Sequence, residues 1–232
     1  MSAYTDYFAA VKACSEEAQN ALMTVWRSVD FSNPPAARDM LLQTLPAIVD
    51  TYGGATAEAA AEMYEAVLFA ELNITRNVPI AEISVDGMES SVRYAAGSIF
   101  DGDPSKAFDI LRKALDYYVK LPARNTVEEN VIADKKLGAR YARVPQGDTT
   151  CEFCVMLASR GFVYRSKKSA DPIEGRGGYH TDCDCLPVVS FKDDPVVEGY
   201  DPDYYYDLYQ QMQDKDKWNK ARRKNKGDAK DQ

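Results

Sequence analysis

The stretch from Thr149 to Val189 constrains this chain most, because it gathers Cys151, Cys154, Cys183 and Cys185 with His180, the only histidine. As a pattern it reads C-x2-C, a gap of 25 residues, then H-x2-C-x-C. Thiolates and a neutral imidazole are the ligands zinc prefers, and four of them close a tetrahedral structural site. Cys151 and Cys154 lie three apart, so one helical turn can point both thiols at one centre. His180 and Cys183 repeat that spacing, and Cys185 follows two residues on, across a strand-like pleat. The candidate metal ligands are therefore Cys151, Cys154, His180, Cys183 and Cys185. The expected set is the first three with either Cys183 or Cys185, and spacing does not choose between those two. Zinc here would pin a long loop to a short helix in a region with little apolar mass of its own.

Three other readings of the cluster stay open. A disulfide joining Cys151 or Cys154 to Cys183 or Cys185 would suit a particle outside the cell. A cysteine nucleophile activated by His180 is the minimal hydrolase pair, with no orienting third group in evidence. A C-x2-C redox centre sits at a helix start after a strand, and the broken segment Val144–Asp148 is poorly suited to that role.

The totals are those of an ordinary globular chain: 232 residues, 45% hydrophobic and 28% charged. The longest apolar-leaning window, Ala47–Leu72, contains Asp50, Glu58, Glu62, Glu65 and Glu71, so no membrane span is expected. The start, MSAYTDYFAAVKACSEE, has neither a basic beginning nor a continuous apolar run, so no secretory leader is expected. A reducing compartment follows as the place of synthesis, where clustered cysteines favour metal or catalysis over disulfides.

Charge is uneven. Residues 213–232 carry eight Lys/Arg against four Asp, a net of +4, which leaves −12 of the total −8 on residues 1–212. An acidic body argues against broad wrapping of nucleic acid, and the basic tail allows at most a weak DNA contact.

The pattern along the chain predicts a mainly α protein. Tyr4, Tyr7, Val11, Cys14, Ala18, Ala21, Leu22 and Val25 share one stripe of a helix over 3–29, with Cys14 as a buried apolar residue. A second helix is expected over 36–51, interrupted near Pro46 and ended by Gly53-Gly54, and a third from a Thr56 cap to Leu72. Residues 73–84 read as irregular. A fourth helix covers 86–99 and a fifth 104–121, capped by Asp103 and stopped by Pro122. Thr126-Val127-Glu128-Glu129 reads as a capping box opening a sixth helix to about Arg143. Beyond it come a short helix bearing Cys151 and Cys154, strands at 161–164 and 186–191, a polar loop over 167–178 and a last helix over 203–212. The organisation is thus a helical domain, 1–143, a small α+β Cys/His (zinc-type) module, 144–195, and a C-terminal helix with a charged tail, 196–232. Arg140, Arg143, Arg160 and Arg165 read as a basic edge beside the cluster or as partners for surface carboxylates. Tyr204–Tyr206 suit either a docked helix or a subunit contact.

The run R-V-P-x-G-x-x-T-C-x-F-C-x-M-L-A-S-R-G-F-V-Y-R-S, Arg143 to Ser166, followed by Y-H-x-D-C-D-C at Tyr179–Cys185, resembles the minor capsid and head-morphogenesis proteins of tailed bacteriophages. The likeness is to the MuF-like group, especially the forms in phages of actinobacteria, which share a C-x2-C segment, a histidine and a closing C-x-C. It implies a non-enzymatic virion component, made in the host bacterial cytoplasm and placed at the portal vertex or capsid interior. Its partners would be the portal and/or major capsid protein, its role in head assembly or in genome packaging and ejection. Some relatives carry a protease label, so a Cys/His capsid-maturation protease is the alternative, although no G-x-S-x-G elbow occurs. A zinc-containing nucleic-acid module is the second alternative.

Overall fold

The structure, a computed structural model, describes residues 2–147, 150–166, 179–181 and 183–214. It is mainly helical: α1 (Ala3–Ser28), α2 (Pro34–Leu72), α3 (Asp86–Phe100) and α4 (Pro104–Ala133) precede a 3-10 turn at Lys135–Leu137. Then follow β1 (Arg140–Val144), α5 (Glu152–Ala158), β2 (Leu186–Ser190) and a last helix, α6, over 202–214. The long helices begin where side chains satisfy their first free N–H groups. The Ser2 hydroxyl accepts from Thr5 N, the Asn33 amide oxygen from Ala36 N and the Asp103 carboxylate from Lys106 N, and Pro34 and Pro104 occupy first turns where no N–H is needed.

Two expected helix breaks are absent. Residues 34–72 form one helix through Pro46, Gly53 and Gly54 rather than two, and α4 runs through Pro122 to Ala133. An interior proline costs about 3 kcal/mol by itself, and here the two anomalies sit against each other. A Cβ on Gly53 would lie 3.1 Å from Pro122 Cγ, so the missing side chain makes room for the ring where α2 and α4 meet. Thr56, expected to cap a helix, is instead buried inside α2, with its hydroxyl 2.7 Å from the Val119 carbonyl in the turn that Pro122 disturbs. Gly53→Val will therefore destabilise the protein by about 1–3 kcal/mol through overpacking. Gly54→Ala, whose new Cβ would meet Ile83 Cδ1 at an ordinary 3.5 Å, will be neutral or stabilising by up to about 1 kcal/mol. Urea midpoints of the two variants check the contrast.

The sixth helix expected to reach Arg143 is also corrected. After α4 the chain turns at Gly138, whose φ of +86° lies in the left-handed region, and continues as β1. β1 pairs antiparallel with β2, with Arg140 opposite Ser190 and Val144 opposite Leu186. The strand expected at 161–164 contributes only an isolated bridge between Tyr164 and Tyr141. Cys14 is half-buried, and its neighbour Ser15 occupies the buried face of α1, bonded to Asp116. The polar loop over 167–178 and the basic tail beyond residue 214 lie outside the described residues, as do Asp148 and Thr149.

Two apolar clusters organise the interior. One joins α1 through α4 around Leu22, Leu41, Leu45, Met88, Leu111 and Leu115. The other takes Tyr7, Tyr64 and Val67 from α1 and α2, Val127 and Val131 from α4, Tyr141 from β1, Leu157 from α5 and Val188 from β2. The two-stranded sheet thus rests on the ends of the long helices. Tyr4 donates its hydroxyl to the Val189 carbonyl at 2.9 Å, and the Glu71 carboxylate accepts from Ser190 Oγ and Phe191 N at the end of β2. No described helix is long and apolar enough to cross a membrane.

Candidate metal centre

Cys151 sits at the N-cap of α5, where its sulfur accepts from Cys154 N at 3.4 Å. Cys154 lies in the first turn and is fully buried. The other half of the cluster comes from the segment that leads into β2: Tyr179, His180, Cys183 and Cys185. The antiparallel pairing of β1 with β2 brings that segment back beside α5, although 25 residues separate Cys154 from His180.

All five sequence-predicted ligands meet. Cys151, Cys154 and His180 form one group able to hold a metal ion, and Cys154, Cys183 and Cys185 form another, with donor atoms within 4.8 Å of one another in each. Cys154 belongs to both groups. The Cys151 sulfur is 3.0 Å from His180 Nε2, and the Cys154 and Cys183 sulfurs are 3.4 Å apart. Burial is graded: Cys154, Cys183 and Cys185 are inside, Cys151 is half-buried and His180 is exposed. All five cysteines of the chain are free thiols.

Beneath the sulfurs lies a set of polar residues that spacing did not reveal. Arg124 of α4 is fully buried and donates from Nη2 to the Cys183 carbonyl at 2.7 Å and from Nε to the Cys185 carbonyl at 3.1 Å. Arg143 of β1, expected at a surface edge, is fully buried too, and its Nη2 donates to the Cys183 sulfur at 3.3 Å. Both guanidiniums lie over the Tyr179 ring, 4.3 Å and 3.8 Å from its centroid, within cation–π range. The Tyr179 hydroxyl donates to Glu128 Oε1 at 2.7 Å. Arg140, by contrast, pairs at the surface with Asp193. One signal in the sequence was available: Tyr179 immediately precedes His180 and places a ring in the ligand segment.

The electrostatics favour one thiolate among three buried sulfurs. Hydrogen bonds with Cys154 and Cys185 hold the Cys183 thiol far below its ordinary range, and Arg124 and Arg143 add to this against the burial that opposes it. Cys154 is pushed up, first by its bond to Cys183, and Cys185 is pushed up by its bonds to Cys154 and Cys183. Burial works against the Arg143 cation, but Tyr179 and the three thiols outweigh it and raise its pKa. Metal binding requires its thiol ligands to lose their protons, so the neighbouring guanidiniums act in the same direction as a bound cation.

The model of the VG15 protein family matches residues 1–212, and the chain belongs to that family. Membership of that family suggests a phage-encoded protein. No curated protein and no solved structure matches the chain.

Proposed function

We propose that this phage protein is a minor capsid or head-morphogenesis component of the MuF-like type. It would sit at the portal vertex or capsid interior and act through protein contacts in assembly or in genome packaging and ejection. The observation that carries the reading is the convergence of all five motif residues at one place in a chain of the VG15 family. In this reading residues 1–143 are the helical body, 144–195 the Cys/His module and 196–232 the C-terminal helix with its basic tail, for which weak contact with DNA is proposed from charge alone.

We infer that the ion is zinc. Thiolates with an imidazole are its preferred donors, and tetrahedral sulfurs about 2.3 Å from the ion lie about 3.8 Å from one another. The 3.4 Å between Cys154 and Cys183 is close to that edge. Cys151, Cys154, His180 and Cys183 are proposed as the ligands, since Arg143 donates to the Cys183 sulfur, with Cys185 packed beside them. Bound zinc supplies structure: it ties the N-terminus of α5 to the segment entering β2.

Co-expression with the portal and major capsid proteins of the same phage tests the assembly role. A complex with the portal that survives gel filtration is the expected result. A chain that stays free of both partners, and is missing from purified virions, overturns it.

The 3.0 Å approach of Cys151 to His180 favours one second reading, the capsid-maturation protease. Labelling of Cys151 by a thiol-reactive probe that falls on His180→Ala but is indifferent to chelator would support the protease. Labelling that rises when a chelator is added supports the metal centre.

A further inference from the structure

A buried arginine must find negative charge, and this protein buries two beside one tyrosine ring. Arg124 and Arg143 are both fully buried, and both guanidiniums face Tyr179. Glu128, held by the Tyr179 hydroxyl, supplies one carboxylate to this pair of cations. Two unit charges confined this way repel each other strongly where water is excluded. Three thiolates, a neutral imidazole and a divalent ion would set one net negative charge beside this pair.

The arginines divide the work. Arg124 makes its hydrogen bonds to the backbone carbonyls of Cys183 and Cys185 and so holds the ligand segment against α4. Arg143 reaches a sulfur itself, with Nη2 3.3 Å from Cys183 Sγ. We propose that Arg143 is a positioning residue of the metal centre: its N–H···S bond and its charge orient and stabilise the Cys183 thiolate and thereby set how tightly the site holds its ion. This rests on the metal reading of the cluster. It explains why a strand residue flanked by apolar Ala142 and Val144 is a buried arginine.

The test uses the full chain, with zinc affinity measured by competition against a chromophoric chelator and cobalt(II) as a spectroscopic probe. Arg143→Gln removes the charge, and Arg143→Lys keeps both a charge and a donor. Outer-shell partners of metal ligands typically contribute roughly 10–100-fold to affinity, so Arg143→Gln is expected to weaken zinc binding by about that factor, with Arg143→Lys recovering most of it. A sulfur that loses a hydrogen bond donates charge more readily. The sulfur-to-cobalt charge-transfer band of cobalt-saturated Arg143→Gln is therefore expected at longer wavelength than in the parent, while an arginine that merely supports the fold would leave the band in place. An unshifted band, or affinity equal to the parent in both variants, overturns the assignment while the metal reading stands. A parent chain that takes up neither ion overturns the metal reading and the assignment together.

Discussion

Cys154→Ser will abolish tight metal binding and take with it the stability that the metal supplies. Cys154 is the one thiol common to both ligand groups, and it is fully buried in the first turn of α5. Without it, Cys151 and His180 remain on one side and Cys183 and Cys185 on the other, with no sulfur shared between the two groups. The loss should exceed the roughly 100-fold ceiling typical of outer-shell partners, because a ligand is removed rather than a support for one. Ligands absent from a preformed arrangement in the unfolded chain make metal binding part of the folding free energy. The variant should therefore melt well below the parent in metal, whereas an excess of chelator should bring the two curves together. Cys14→Ser is the control: half-buried on α1, it should leave metal affinity unchanged. Isothermal competition and paired thermal melts with and without chelator measure both effects.

Arg124→Leu will behave differently, because its damage does not depend on the ion. The substitution leaves the carbonyls of Cys183 and Cys185 without the donors they have at 2.7 Å and 3.1 Å. It also strips the Tyr179 ring of one of its two cations. Breaking a buried charged network from one side costs about 3–5 kcal/mol, since the partners stay behind unpaired. Urea denaturation should show this loss with the metal present and with it removed. Arg124→Lys should recover only part of it, because a single ammonium cannot reproduce the fork that reaches two carbonyls at once. Loss confined to the metal-loaded protein would mean that Arg124 acts on the ion rather than on the ligand segment.

Much of the helical architecture was legible, and the misreadings share one cause. The cap at Asp103 and the apolar stripe of α1 mark real boundaries because they are local signals. Pro46, Gly53-Gly54 and Pro122 are local signals too, yet tertiary packing overrides them. Gly53 admits Pro122, and the Thr56 hydroxyl ties α2 to the Val119 carbonyl of the neighbouring turn, so two apparent breaks become one helix crossing. Thr126 and Glu128, within the stretch read as a capping box, are instead spent at long range. The Thr126 hydroxyl accepts from Ala81 N, and Glu128 accepts from the Tyr179 hydroxyl. β1 escaped notice because its start is set by the left-handed turn at Gly138 and its pairing by β2, some 45 residues away in order of magnitude, which no local period records.

The grouping of the candidate ligands was legible because their residue types are scarce and their spacing has a coordination meaning. The residues beneath them were not. Arginine is common at surfaces, and nothing in the neighbourhood of Arg124 or Arg143 distinguishes a buried cation from an exposed one. Their role depends on three segments meeting: α4, β1 and the approach to β2. Only the fold brings those together.

One ion is expected to gather these donors in this member of the VG15 family. Native mass spectrometry of the full chain, purified in reductant without added metal, tests it most directly. About one zinc per chain is expected, with five free thiols once the ion is released by acid. Less than about half an equivalent of metal, or a disulfide joining Cys151 or Cys154 to Cys183 or Cys185, would contradict it.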